Sequence, residues 1–224
     1  MRSINLAAVV LLSFIIAGCA TPVKTGLTRN AEKIELNNES LVILTAELSN
    51  EYKTRYQPAA NGLILETLGA EKVDSLLFQA DKDSVVPNVK NNTYVFRGLV
   101  KPGKYVVRGI TGMSQHFPIV ANFFVPLHCE ITIESGKVID LGKVVAKVRE
   151  RTGNEFKAGA SIPLIDQAVA GFSGGTFDVQ ITAESEEDIQ RLKSLFPVLR
   201  GTTIVAMTMP AFNRDKAQKW WETH

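Results

Sequence analysis

The side chains best suited to chemistry lie in a few places: His128-Cys129, Asp140, and the run Gly171-Phe172-Ser173-Gly174-Gly175, with further histidines at 116 and 224. A histidine, an aspartate and a serine are the parts of an acyl-transfer triad, in which the imidazole takes the serine proton and the carboxylate orients the imidazole. Here the histidine and the serine stand too close together for a double-barrel hydrolase, and no aspartate precedes Ser173. The glycine-rich run reads instead as a flexible loop. A second possibility is a metal held by His116, His128 and Glu130, since alternation along a strand puts His128 and Glu130 on one side. Neither His-Glu-x-x-His nor paired Cys-x-x-Cys spacing occurs, so these residues read as polar positions on a solvent face, with no metal or other cofactor expected. Gly-x-x-x-x-Gly-Lys-Ser/Thr is also missing, which leaves nucleotide hydrolysis without its phosphate cradle.

Two cysteines occur, at 19 and 129. In Leu127-His128-Cys129-Glu130-Ile131-Thr132-Ile133 strict alternation places Cys129 on the apolar side, where a lone thiol packs as a small hydrophobe. A nucleophilic thiol would need an exposed, electropositive setting. Cys19 has different surroundings. Arg2 is the only charge before it, Leu6 to Ile16 form an apolar run too short to span a bilayer, and Ala17-Gly18 supply the small residues at which a secretory signal is cut. Ile16-Ala17-Gly18-Cys19 resembles the lipobox of bacterial lipoproteins. That resemblance implies cleavage between Gly18 and Cys19 and multiple acylation of Cys19, which becomes the mature N-terminus. With Cys19 so used, no intrachain disulfide is expected. Ala20 is not the aspartate that tends to retain enteric lipoproteins at the inner membrane, so the resemblance implies an outer-membrane lipoprotein facing the periplasm if the source is Gram-negative.

Cleavage leaves about 206 residues, enough for one large or two small domains. The net charge of +2 is built from 25 basic and 23 acidic residues. No one-sign footprint argues for nucleic acid or for a charge-held membrane contact. Attachment is expected through lipid, at roughly 0.8 kcal/mol per buried methylene.

Residues 20 to 36 are polar and aperiodic and read as a tether, so that 19–37 forms the lipidated N-terminus. From Ser40 the pattern becomes strand-like: Leu41 to Leu48, Leu63 to Leu68, Val73 to Gln79, Tyr94 to Val100, Lys104 to Ile110, Ile119 to Val125, Leu127 to Ile133 and Val138 to Val148. Pro102-Gly103 between two of these runs predicts a type II turn and an antiparallel hairpin. Gly142 predicts a bulge. So many short strands separated by turn residues predict a mainly β protein, an antiparallel β-sandwich over 38–150.

Two of these stretches carry a resemblance. Leu99-Val100-Lys101-Pro102-Gly103-Lys104-Tyr105 looks like the prealbumin-like sandwich of carboxypeptidase regulatory-like domains. Glu134-Ser135-Gly136-Lys137-Val138-Ile139-Asp140-Leu141-Gly142 is similar to the closing hairpin of such sandwiches in envelope lipoproteins. The resemblance implies a fold and no catalytic residue.

After the charged stretch Arg149 to Glu155, residues 151–224 read as a smaller α+β extension. Ile162 to Ala170 predicts a short helix with Pro163 near its start and Gly171 at its end. Phe177 to Thr182 predicts a strand. Ser185 to Phe196 predicts a helix capped by Ser185, stopped by Pro197, and buried through Ile189, Leu192, Leu195 and Phe196. Thr202 to Met209 reads as a strand, and Asn213 caps a last helix ending in Trp220-Trp221. Those tryptophans, with Phe212, could face a partner protein or glycan; the commoner use of such a pair is to pack a terminal helix. The function expected is a non-enzymatic, lipid-anchored envelope protein that binds a protein partner or has a structural role. An envelope hydrolase with a site near His116 and His128 is the alternative.

Overall fold

The computed structural model describes residues 20–70, 73–81, 86–87, 92–159 and 165–223. Gly18, Cys19 and His224 lie outside these. The protein is mainly β. Its strands are β1 (Thr21–Pro22), β2 (Ser40–Asn50), β3 (Ala59–Thr67), β4 (Ser75–Gln79), β5 (Val86–Pro87), β6 (Asn92–Val100), β7 (Gly103–His116), β8 (Ile119–Ile133), β9 (Val138–Glu150), β10 (Gly175–Thr182) and β11 (Ile204–Ala206). Three helices accompany them: α1 (Ile165–Val169), α2 (Glu186–Leu195) and α3 (Arg214–Thr223).

One sheet runs β1-β4-β3-β7-β8 and the other β10-β9-β2-β6-β5, with β11 also on β9. Both are mixed, not antiparallel as expected: β2 runs parallel to β9, β11 parallel to β9, and β1 parallel to β4. The β2–β9 pairing joins stretches about a hundred residues apart, a relation no local pattern reports. β2 reads Leu41-Val42-Ile43-Leu44 without alternation because both its faces are covered. Val42, Leu44, Ala46 and Leu48 face the other sheet, whereas Leu41 and Ile43 pack with Leu192 and Phe196 of the α2 region.

The expected hairpin across Pro102-Gly103 is not formed. β6 pairs with β2 and β5, and β7 pairs with β3 and β8, so Pro102-Gly103 carries the chain from one sheet to the other; Gly103, at φ 158°, does not make the expected type II turn. The long hairpin lies one strand later, where β7 and β8 pair from Gly103↔Ile133 to His116↔Ile119 around the cis Phe117-Pro118 bond. Gly112 makes this possible: a β-carbon there would stand 2.2 Å from Ala59 O and 2.5 Å from the Phe123 ring. Pro126, read as a divider, lies inside β8. The register slips there, and His128 takes φ 51° as the bulge residue, which suits a proline on an edge strand. Gly142 is a bulge as expected: Ile43↔Asp140 is followed by Thr45↔Lys143. Its φ is 88°, and a β-carbon there would stand 2.4 Å from Thr182 O.

Residues 20–36, read as a tether, are laid against the body. Leu99 N–H donates to Lys24 O, Arg97 Nε donates to Leu27 O, and Leu27 is fully buried. The C-terminal residues are likewise part of the main structure. β10 is a strand of the second sheet, and Phe156, Phe172, Phe177, Met209 and Ala217 share the core with both sheets. The α2 expectation holds in detail: Ser185 Oγ accepts from Asp188 N–H while the Asp188 carboxylate accepts from Ser185 N–H, a reciprocal capping box. Gly171 follows α1 with φ 84°, and Asn213 Oδ1 accepts from Lys216 N–H at the start of α3. Gly171 to Gly175 is not a loose loop. Phe172 is fully buried 5.5 Å from Phe123, and the backbone of this run is bonded to residues 158 and 159.

Candidate binding surface

The sheet registers give the body two distinct ends. β7 is 14 residues long, about 40 Å at the strand rise. The Phe117-Pro118 turn stands at one end, called here the far end, with the β2–β3 loop and α1. At the near end are the β3–β4 turn, the Lys101-Pro102 crossover and the β8–β9 turn. β1 runs in the same sense as β7, with Thr21 on its near-end side, level with Val107.

The far end is held by Asn50, a buried polar residue in a stretch that the sequence presents only as a polar loop. Its Nδ2 donates to Tyr56 O (2.9 Å) and Ala170 O (3.0 Å), and its Oδ1 accepts from Lys53 N–H (2.7 Å). Gln57 closes the loop by accepting from Asn50 N–H and donating to Asn50 O. One amide thus ties the β2–β3 loop to the end of α1. The β7–β8 tip is joined to α1 by Val120 N–H donating to Asp166 Oδ2 (3.0 Å). On this frame apolar side chains stand in water: Phe117 is 94% exposed and Ile165 78%, beside the partly exposed Val120 and Val169. His116 lies here too, its ring 5.8 Å from Tyr56 in an edge contact, and Lys53 and Arg55 are exposed at the rim. Several apolar groups, rigidly backed and rimmed with polar residues, suit association by burial of surface.

His128 lies elsewhere. It is buried near the middle of the hairpin, its ring 4.8 Å from Trp220, and the hairpin separates it from His116 by roughly 30 Å. Glu130 shares the α3 side of β8, as alternation implied, but is ion-paired to Lys216 at 3.1 Å. Among the described residues no three His, Cys, Asp or Glu side chains could hold a metal. Trp220 is half-buried against Phe124 and His128, and Trp221 packs on the core, so both tryptophans seat α3. Cys129 is buried as expected, and that burial pushes its thiol up to about 11, against a small opposing effect from Lys216. Asp140 and Ser173 are about 30 Å apart along β9 and β10.

Two charged clusters were not legible in the sequence. Arg149 of β9 and Arg214 of α3 share Glu155 and Asp178: Arg149–Glu155 is 2.5 Å, Arg149–Asp178 3.0 Å, Arg214–Glu155 3.2 Å and Arg214–Asp178 2.8 Å. Hydrogen bonding from Arg149, aided by Thr152, holds Glu155 at about 2 against the opposing effect of burial. The other cluster lies under α2, where Asp140, Glu184 and Asp188 converge near Thr45 and Lys143. Burial pushes Asp140 up, partly offset by Gly142 N–H, and Asp188 adds to the rise. Burial works against ionised Asp188 as well, but the Ser185 cap and Lys143 outweigh it and hold that carboxyl low. Glu184 lacks such support. Burial lifts it to about 7, the neighbouring carboxylates add to the rise, and Thr45 Oγ1 faces it without closing a hydrogen bond of normal geometry. With Asp140 and Asp188 both closed over, this cluster is a joint between α2 and the sheet.

Comparison with known proteins finds no family model, no curated protein and no solved structure that matches the chain.

Proposed function

We propose that the chain is a non-enzymatic lipoprotein of the cell envelope, held by acylated Cys19 to the periplasmic face of an outer membrane and binding a protein partner through its far end. The β-sandwich, read as prealbumin-like from its turn chemistry, serves in this reading as a rigid spacer. What supports the reading is the direction of β1, which runs from its near-end side toward the Phe117 tip, so that a lipid carried by the residues before it would lie away from that tip. An anchored protein with its apolar groups at the distal end is suited to meeting a second envelope component. The separation of His116 from His128 argues against a single hydrolase site that uses both histidines.

Mass spectrometry of native material should show an acylated Cys19 as first residue. A photoreactive residue at position 117 should give one discrete protein adduct in living cells, absent when it is placed at exposed Glu187 on α2. An unmodified chain beginning at Met1, or identical adducts from both positions, would overturn the reading.

A further inference from the structure

Residues 183–203, which carry α2 and the 3₁₀ turn Pro197–Gly201 after it, link β10 to β11 and cover the outer face of the second sheet. Leu192, Phe196 and Leu199 are buried there with Leu41, Ile43 and Val95, an apolar cluster separate from the one between the sheets. The backbone bonds of this cover close within it: Ile189 N–H donates to Ser185 O, Phe196 N–H to Leu192 O, Leu199 N–H to Phe196 O and Thr202 N–H to Leu199 O. A helical unit that satisfies its own backbone leaves a sheet without breaking a strand ladder, so its opening costs less than unfolding. Its polar joint with the sheet lies at one end, where Lys143 Nζ of β9 donates to the Asp188 carboxylate at 3.3 Å.

At that joint carboxyls outnumber cations. Lys143 also pairs with Glu47 of β2 (2.5 Å), and Arg191 of α2 pairs with Asp188 (2.6 Å). Glu184, just ahead of the Ser185 cap, has both carboxyl oxygens closed off from water, and among the described residues neither closes a hydrogen bond of normal geometry. Facing it are the fully buried Thr45 hydroxyl of β2 and the carboxyls of Asp140 on β9 and Asp188 on α2. Asp140 is already engaged, accepting from Gly142 N–H at 2.9 Å. A proton on Glu184 resolves the crowding, because it removes one charge and turns an oxygen into a donor toward Asp188. Without that proton an ionised carboxylate is shut in beside two others. Burial, reinforced by Asp140 and Asp188, lifts Glu184 to about 7, so the proton leaves in the neutral range.

We propose that residues 183–203 are a proton-held latch: protonated Glu184 keeps α2 shut on the sheet, and its ionisation favours a form in which the segment lifts as a unit, uncovering Leu41 and Ile43 while both sheets stay folded.

Hydrogen exchange of the full chain, followed residue by residue in low, non-denaturing urea between pH 5 and pH 8, tests this. The displacement of Glu184 from 4.5 to about 7 allows at most about 300-fold in the opening equilibrium; the part of the side chain that stays wet reduces this to roughly 30-fold. After correction for intrinsic exchange, protection of the amides at 189–195 should fall by that factor from pH 5 to pH 8, with little dependence on urea. Amides of β2 and β9 should stay better protected throughout and respond steeply to urea, which also reports that the body is folded. Glu184→Gln, uncharged and able to donate to Asp188, should hold α2 at its pH 5 protection up to pH 8. Exchange of α2 together with the sheets at one urea slope would overturn the latch as a separate unit. Protection in α2 that is level with pH, or that falls equally in Glu184→Gln, would overturn the proton's part in it.

Discussion

Replacing Glu184 by Gln tests whether the carboxyl cluster under α2 costs the protein stability at neutral pH. The Glu184 carboxyl titrates near 7 in the folded protein against an ordinary value of 4.5. A raised acid pKa means that the folded state binds the proton more tightly than the unfolded chain. The stabilisation is complete below about 4.5 and is lost as pH rises through about 7. At 1.36 kcal/mol for each tenfold change, the whole displacement corresponds to about 3 kcal/mol; the part of the side chain that stays wet reduces this to about 2 kcal/mol. Asp140, also pushed up, acts in the same direction, at and above the ordinary carboxylate range. Asp188 is held low, so its contribution is present above its unfolded value and lost only as the solution becomes strongly acidic. Urea unfolding followed by Trp220 and Trp221 fluorescence should therefore show the wild-type protein about 2 kcal/mol less stable at pH 8 than at pH 5. Glu184→Gln, uncharged and of the same shape, should flatten that slope and exceed wild type at pH 8 by a similar amount. A wild-type curve level between pH 5 and 8, or a variant that keeps the slope, would refute the reasoning.

Other outcomes follow from the same structure. Arg214→Ala removes the guanidinium that joins α3 to Glu155, Asp178 and Phe177 O; it should cost about 1 kcal/mol in chemical unfolding, and hydrogen exchange should quicken in α3 before the sheets. Gly142→Ala meets Thr182 O in a left-handed conformation and should lower stability by about 2 kcal/mol or more, read from the urea midpoint. Cys129, buried with its thiol pushed up to about 11, should resist a thiol reagent at pH 8 until denaturant is added. Phe117→Ala should leave the unfolding midpoint unchanged and weaken partner binding by about 2 kcal/mol, roughly 30-fold, measured by titration with the cross-linked partner once purified.

Local chemistry made a good part of this protein legible in its sequence. Ser185 and Pro197 bracket α2, Asn213 starts α3, Gly142 marks a bulge and alternation buries Cys129, because each depends on residues within a few positions of one another. Tertiary structure alone decided which strands became neighbours. Pro102-Gly103 bends the chain without the predicted type II turn, since Gly103 takes φ 158° and not the value of about 80° that such a turn requires; the competing partners β2 and β8 drew the flanking strands into different sheets. The parallel β2–β9 pairing, the docking of residues 20–36, Asn50's hold on the far end and the carboxyls under α2 all join positions remote in the chain. Whether such groups meet is determined by the packing of two sheets around one core, in which the partner of each residue is chosen by the burial of the rest.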